Sequence, residues 1–123
     1  MTDEERERLR ATREVHIETR RAEGAPVHRT VIWVVVDDAA RVLVRTFMGP
    51  GSRWYREALA RGRCRLLANG LALDFEVDRA DDPERVRACS EGLRAKYRRS
   101  ASLDAMLRDE VLDTTLELRP AHE

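Results

Sequence analysis

Residues 45–62, RTFMGPGSRWYREALARG, decide the fold. A strand-like run stops at Gly49-Pro50-Gly51, because proline lacks a ladder donor and glycine has no side chain to pack. Ser52 then stands where a helix cap belongs, the helical pattern runs to about Ala60, and Gly62 marks its end. The chain returns to strand at Arg63. A helix inserted between strands in this way is the mark of an α+β domain.

Outward from this stretch the periodicity is that of strands. Val15, Ile17 and Thr19 alternate with His16, Glu18 and Arg20, which predicts a half-buried strand. Residues 22–26, AEGAP, form a turn. VIWVVV, residues 31–36, follows Arg29-Thr30 and is apolar on both faces, so it needs cover on both sides: a barrel wall that also meets a helix or a partner. Asp37-Asp38 turns the chain into its hairpin partner, residues 41–47. Residues 63–68 and 71–77 flank Asn69-Gly70, the strongest short hairpin signal. Residues 114–119, TTLELR, alternate again before Pro120.

Helical signals fill the remainder. Thr2 and Glu5 make a capping box, and the first thirteen residues read as a polar helix with only Leu9 to bury. Asp82-Pro83 opens a long helix with Val86, Cys89, Leu93 and Tyr97 on one stripe. Leu103, Met106 and Leu107 predict a short second one. The expectation is one domain over 1–123, mainly β (α+β): a helix over 1–13, then six antiparallel strands over 14–120 curled into a small barrel with flanking helices.

Composition narrows the partners. The chain carries 23 basic and 23 acidic residues, a formal net charge of zero, which argues against nucleic acid or a membrane held by a global field. Lys96 is the one lysine, so the positive charge is arginine, whose planar fork suits phosphate and carboxylate. Cys64 and Cys89 have no metal-ligand spacing and read as buried thiols. MTDEERERLRATRE lacks the apolar core of a signal peptide, and no apolar run approaches the ~20 residues of a membrane span; the expected location is cytoplasmic. His16, His28 and His122 have no spaced partner. No Ser-His-Asp order, dinucleotide fingerprint or metal constellation is present, so no catalytic or metal-binding residue is assigned.

EVHIETRR (14–21), RTVIWVVVDD (29–38), VLVRTFMGPGSRWYREAL (42–59) and TTLELRP (114–120) resemble an uncharacterised bacterial family, domain-of-unknown-function family 2255. The motif order is also similar to the deazaflavin-dependent nitroreductases and the wider flavin-binding split-barrel group, which includes pyridoxamine-phosphate-oxidase-like proteins. The resemblance implies a split β-barrel of the FMN-binding type, a homodimer, and FMN or a deazaflavin in a groove at the dimer interface. It implies an oxidoreductase acting on a small organic molecule. The turn at residues 22–26 departs from the deazaflavin pattern, being acidic and without lysine, which favours FMN.

Physical chemistry points at the same region. A helix N-terminus presents unpaired N–H groups and partial positive charge. Gly49 and Gly51 let a ligand approach the backbone, Ser52 supplies a hydroxyl and Arg53 a charge, which together would seat a phosphate. The bland alternative is that Ser52 only caps and Arg53 is solvated. Trp54 offers a flat face to a ring, whereas Tyr55 reads as core. By resemblance, Arg29 and Thr30 contact the cofactor. Arg45 and Thr46 end the third strand near the same mouth, and a charge in so apolar a strand needs a partner, either the cofactor phosphate or Glu57. Trp33 reads as core or dimer interface. The competing functions are a cofactor-free binding barrel and a structural homodimer.

Overall fold

The computed structural model describes residues 1–121; His122, read above as non-catalytic, lies outside them. α1 (Asp3–Ala11) is closed by the expected capping box, Thr2 Oγ1 accepting from Glu5 N and Glu5 returning the bond to Thr2 N. β1 (Val15–Thr19) and β2 (His28–Ile32) form a hairpin, and β3 (Val35–Val36) and β4 (Val42–Val44) a shorter one. α2 (Arg53–Arg61) ends at Gly62, whose φ of 71° is the left-handed value a glycine tolerates. β5 (Arg63–Ala68) and β6 (Leu71–Arg79) pair through Asn69-Gly70. α3 (Pro83–Lys96), α4 (Leu103–Leu107), α5 (Asp109–Leu112) and β7 (Leu116–Pro120) complete the chain.

Among the described residues there are seven strands, not the six expected, in the order β2-β1-β5-β6-β7-β4-β3. The extra strand arises because the VIWVVV run is two strands. Its first part pairs with β1 and its last two residues pair with β4, at opposite edges of the sheet. Trp33 and Val34 alone bridge them, so Ile32 and Val35 can be at most roughly 11 Å apart. Seven strands laid flat would separate those edges by about 29 Å. The sheet therefore curls until its two edge strands come near each other without pairing, and the run forms the seam.

The seam explains the double apolarity of the sequence. Ile32 and Val34 face the barrel interior with Ile17, Leu66, Phe75 and Leu118. Val35 faces outward with Leu43, Cys89, Leu93, Tyr97 and Met106 under the α3–α4 layer, and Trp33 packs against that cluster. The cover expected on the second face is thus helical. α2 closes the interior from one end, burying Trp54, Tyr55 and Ala58 in the same core as the strands. Burying a large apolar side chain in this way contributes about 1.5–3 kcal/mol of transfer free energy, and the Ala58 methyl about 0.8 kcal/mol.

Two contacts hold the helical layer to the barrel. At the first, α3 crosses β3 so closely that a Cβ built on Gly92 would lie 2.3 Å from Val35 Cγ1. Val35 is β-branched and 2% exposed, so it has nowhere to go. At the second, Arg45, 1% exposed, sends its guanidinium under the helices. Nε donates to Thr115 Oγ1 at 2.9 Å, Nη1 to Ser90 Oγ at 3.0 Å and to the Met106 carbonyl at 2.9 Å, and Nη2 to the Val86 carbonyl at 3.0 Å. One side chain so ties β4 to α3, α4 and the start of β7.

Both contacts are testable by denaturant unfolding. Gly92→Ala gains helix propensity of about 1 kcal/mol but overpacks Val35, and a net loss of about 1–2 kcal/mol is expected in urea. A midpoint that rises would show that α3 can move away from β3. Arg45→Lys keeps the charge but cannot reach four acceptors on three elements, so a loss of about 2–4 kcal/mol is expected. An unchanged midpoint would refute the assignment of Arg45 as the tie between the layers.

Candidate functional site

Where β2 breaks at the seam, the turn after β4 and the N-terminus of α2 come together around a cavity of about 590 Å³. This lies within the range of small-molecule sites. Its apolar wall includes Ile32, Trp33, Phe47, Trp54 and Met106, and its polar wall includes Thr30, Ser52, Arg53, Ser100 and Ser102. Arg13 and Glu14 border it from the α1–β1 connection.

Of the residues singled out from the sequence, Thr30, Arg45, Thr46, Ser52, Arg53 and Trp54 border this cavity. Arg29 and Gly51 do not. Arg29 sits on the outer face of β2, exposed, opposite Glu18 in the β1–β2 register, and pairs with it at 2.6 Å. The part of this run that borders the cavity is residues 30–33, and Arg29 lies one residue before it.

Arg45 reaches the wall but does not present its charge there. The expected partner was a cofactor phosphate or Glu57. Instead its nitrogens are taken by the neutral acceptors named above, and among the described residues no carboxylate pairs with it. Burial lowers the pKa of its guanidinium, as befits a cation held without a counter-ion. Thr46 is buried, its Oγ1 accepting from Met48 N and its own N–H meeting Thr114 Oγ1. It shapes the turn rather than offering a free hydroxyl.

Ser52 behaves otherwise. It occupies the N-cap position of α2 with extended backbone, yet its side chain makes no capping bond. Its Oγ is buried and has no hydrogen-bond partner among the described residues. The bland reading, a serine that merely caps, is therefore wrong. A buried hydroxyl left without a partner costs about 1–3 kcal/mol, so it needs an acceptor or donor that the chain itself does not provide. Arg53 follows it, exposed, and among the described residues makes no hydrogen bond or ion pair.

Trp54 is 6% exposed and meets Tyr55 edge-on, ring centres 6.3 Å apart at 86°. It is a core side chain that also forms part of the cavity wall. Trp33, read from the sequence as core or interface, is the other indole at the cavity. It stacks on Tyr97 with ring centres 4.0 Å apart and planes 3° from parallel. Sequence reasoning missed it because VIWVVV reads as one uninterrupted strand, with nothing to mark the break at Trp33-Val34.

His28, expected to have no partner, has one. Its Nδ1 lies 3.1 Å from Glu57 Oε2, and Thr19 Oγ1 donates to Glu57 Oε1 at 2.9 Å. Glu57 is buried, which opposes ionisation, but the bonds from His28 and Thr19 outweigh this and hold its carboxyl below the usual range. The cysteines are buried as expected, and burial pushes their thiols up to about 12 for Cys64 and about 11 for Cys89, so neither is a nucleophile at neutral pH. Among the described residues no cluster of three or more His, Cys, Asp or Glu could hold a metal, and no helix is long and apolar enough to cross a membrane.

Comparison with solved structures gives the same architecture at low sequence identity. A protein of unknown function from Agrobacterium tumefaciens matches 98% of this chain with a TM-score of 0.72 and 14% identity; the chain spans 55% of that protein's length. The haem storage protein HutZ of Vibrio cholerae matches 98% of the chain and 89% of its own, with a TM-score of 0.67 and 12% identity. A NimC/NimA family protein of Clostridium acetobutylicum matches 94% and 79%, with a TM-score of 0.67 and 12% identity. These likenesses establish the split-barrel fold. Among curated proteins none matches the chain in sequence. A family model matches residues 5–118, nearly the whole chain. That span takes in the seam strand and the inserted α2 and reaches into β7, and the chain belongs to DUF2255, a family of uncharacterised proteins conserved in bacteria.

Proposed function

We propose that this protein binds a flat, phosphate-bearing cofactor of the flavin type, FMN rather than a deazaflavin, and works as an oxidoreductase on a small organic molecule. The observation that carries this reading is the partnerless, buried Ser52 Oγ at the N-terminus of α2. A phosphate there would take the Ser52 hydroxyl, the first N–H groups of a nine-residue helix and the charge of Arg53. Trp33 and Trp54 give the same cavity the planar apolar surface that a fused ring needs. Thr30 supplies a polar group on the β2 side. When bound, a flavin carries the hydride transfer, and the protein's part is to bind, orient and exclude water. The absence of a catalytic acid–base pair at the wall is compatible with that division of labour.

The cavity is read as half of a site completed by a second copy of the chain. Val31, Phe47 and Met48 are 50%, 52% and 70% exposed, and all three border it. They leave an apolar rim next to β2, an edge strand of the sheet order. An apolar rim and an open strand edge favour burial against a partner.

Haem is the second reading, because HutZ, which shares the fold, is a haem storage protein. The donor set favours it less. Among the described residues no His, Cys or Tyr borders the cavity, and the side chains there that could ligate iron are Met48, Met106 and the carboxylate of Glu14.

Thermal melting separates these readings. FMN at a hundred times its Kd should stabilise the chain by about 2.7 kcal/mol, a shift of roughly 10 °C at this size. Riboflavin, which lacks the phosphate, should give much less, and Ser52→Ala should lose most of the FMN shift. Equal shifts from riboflavin and FMN would remove the phosphate seat; a Soret band with haemin and no flavin response would favour haem. Light scattering should give twice the 14.2 kDa chain mass. Val31→Asp should return the monomer and weaken FMN binding together; a monomeric parent chain would end the shared-site reading.

A further inference from the structure

On the other side of the α2 N-terminus is a second cavity, of about 510 Å³, between that helix and the β1–β2 turn. Arg21 borders it from the turn, Arg53 and Arg56 from the first turn of α2, His28 from the start of β2 and Glu57 from below. Arg53 and Arg56 are one helical turn apart and so share a face. Arg53 borders both cavities.

The charges here do not cancel. Among the described residues Glu57 is the one carboxylate at the wall, and both its oxygens are engaged, Oε1 by Thr19 and His28 and Oε2 by His28. Arg56 donates only its Nε, to the Gly51 carbonyl at 3.1 Å. Among the described residues Arg21 and Arg53 make no hydrogen bond or ion pair. A chain of zero formal charge thus places three arginines around one space whose carboxylate, Glu57, bonds to Thr19 and His28 rather than to any of them. Like charges so arranged repel, and an anion between them reverses the sign of the interaction.

Stoichiometry selects the anion. A single carboxylate would neutralise one of three cations. A phosphate-type dianion carries nearly two charges and three acceptor oxygens, which matches several arginine forks. Glu57 holds the Nδ1 side of His28, leaving Nε2 without a partner among the described residues and able to act as a further donor when protonated.

We propose that this second cavity is a binding site for a phosphate-type dianion, either free phosphate or the phosphomonoester of a small metabolite, gripped by Arg21 of the β1–β2 turn and Arg53 and Arg56 of α2. Its anion lies apart from the Ser52 hydroxyl, and Arg53, which borders both cavities, is the one group the two seats share.

The test is calorimetric titration of the full chain with inorganic phosphate and with glycerol phosphate at low ionic strength, alongside NMR of the imidazole signals. Saturable binding that shifts the His28 resonances is expected. Arg21→Gln breaks no bond within the described chain and should weaken binding about tenfold, the loss of one charge-assisted contact. Ser52→Ala should leave phosphate affinity unchanged. So should Arg65→Gln, whose side chain pairs with Asp74 on the outer sheet face. Tighter binding of glycerol phosphate would identify a monoester ligand, and tighter binding of inorganic phosphate the free ion. Non-saturable heats, or equal weakening by Arg65→Gln and Arg21→Gln, would reduce the site to diffuse charge and overturn the proposal. Phosphate binding abolished by Ser52→Ala would overturn it as well, while placing the anion in the first cavity and supporting the cofactor reading.

Discussion

The structure depends on how one apolar strand is allowed to break. Between Ile32 and Val35 the chain leaves one edge of the sheet and joins the other, and the backbone of Val34 loses its ladder partners there. Its N–H is taken by the Tyr97 hydroxyl at 3.2 Å and its carbonyl by Lys96 Nζ at 2.8 Å. The Tyr97 hydroxyl donates a hydrogen bond to the Arg13 carbonyl, and Lys96 Nζ also donates to the carbonyl of Leu9. Two adjacent side chains at the end of α3 thus satisfy the seam, the last residue of the α1 core stripe and the α1–β1 connection. A buried backbone left unbonded at this point would cost several kcal/mol, so the barrel closes only if α3 docks.

That coupling has electrostatic consequences. Lys96 is the chain's lone lysine, and burial, reinforced by the nearby Arg13, pushes its ammonium down to about 8. Burial likewise pushes the Tyr97 hydroxyl up to about 12. The Tyr97 ring lies between Trp33 on one side and the cations of Arg13 and Lys96, whose charged groups are 5.3 and 5.4 Å from its centre. Because Trp33 is also cavity wall, the same stack that secures the barrel fixes the face presented to a ligand. Arg45 is engaged in holding helices, so at this cavity the buried polar group without a bond among the described residues is Ser52 Oγ.

The arginine-rich composition therefore separates into distinct uses. Arg29, Arg65 and Arg119 pair across strands on the sheet's outer face, where such pairs are worth little individually. Arg41 ties the β3–β4 turn to α3 through Asp37 and Glu84, and Arg85 ties α3 to β7 through Glu117. Against that background the guanidinium groups at the α2 N-terminus stand out, because the acids that would match them are bound elsewhere.

Much of this was legible in the chain itself. Alternation at Val15, Ile17 and Thr19 and the Asn69-Gly70 turn specified strands and a hairpin, because side-chain period and turn dihedrals are local properties. Gly62, Asp82-Pro83 and the Thr2–Glu5 box placed helix ends for the same reason. The glycine turn and Ser52 marked the start of α2. What tertiary structure alone decided was every pairing of distant polar groups. Which strand edge Val35 joins, whether Arg45 meets an anion or a set of hydroxyls and carbonyls, and that His28 meets Glu57 depend on the closure of the barrel. Whether Ser52 caps its helix or is left open also depends on it. A one-dimensional pattern records which residues want partners, but only the folded chain brings groups many residues apart within 3 Å and so determines which wants are met.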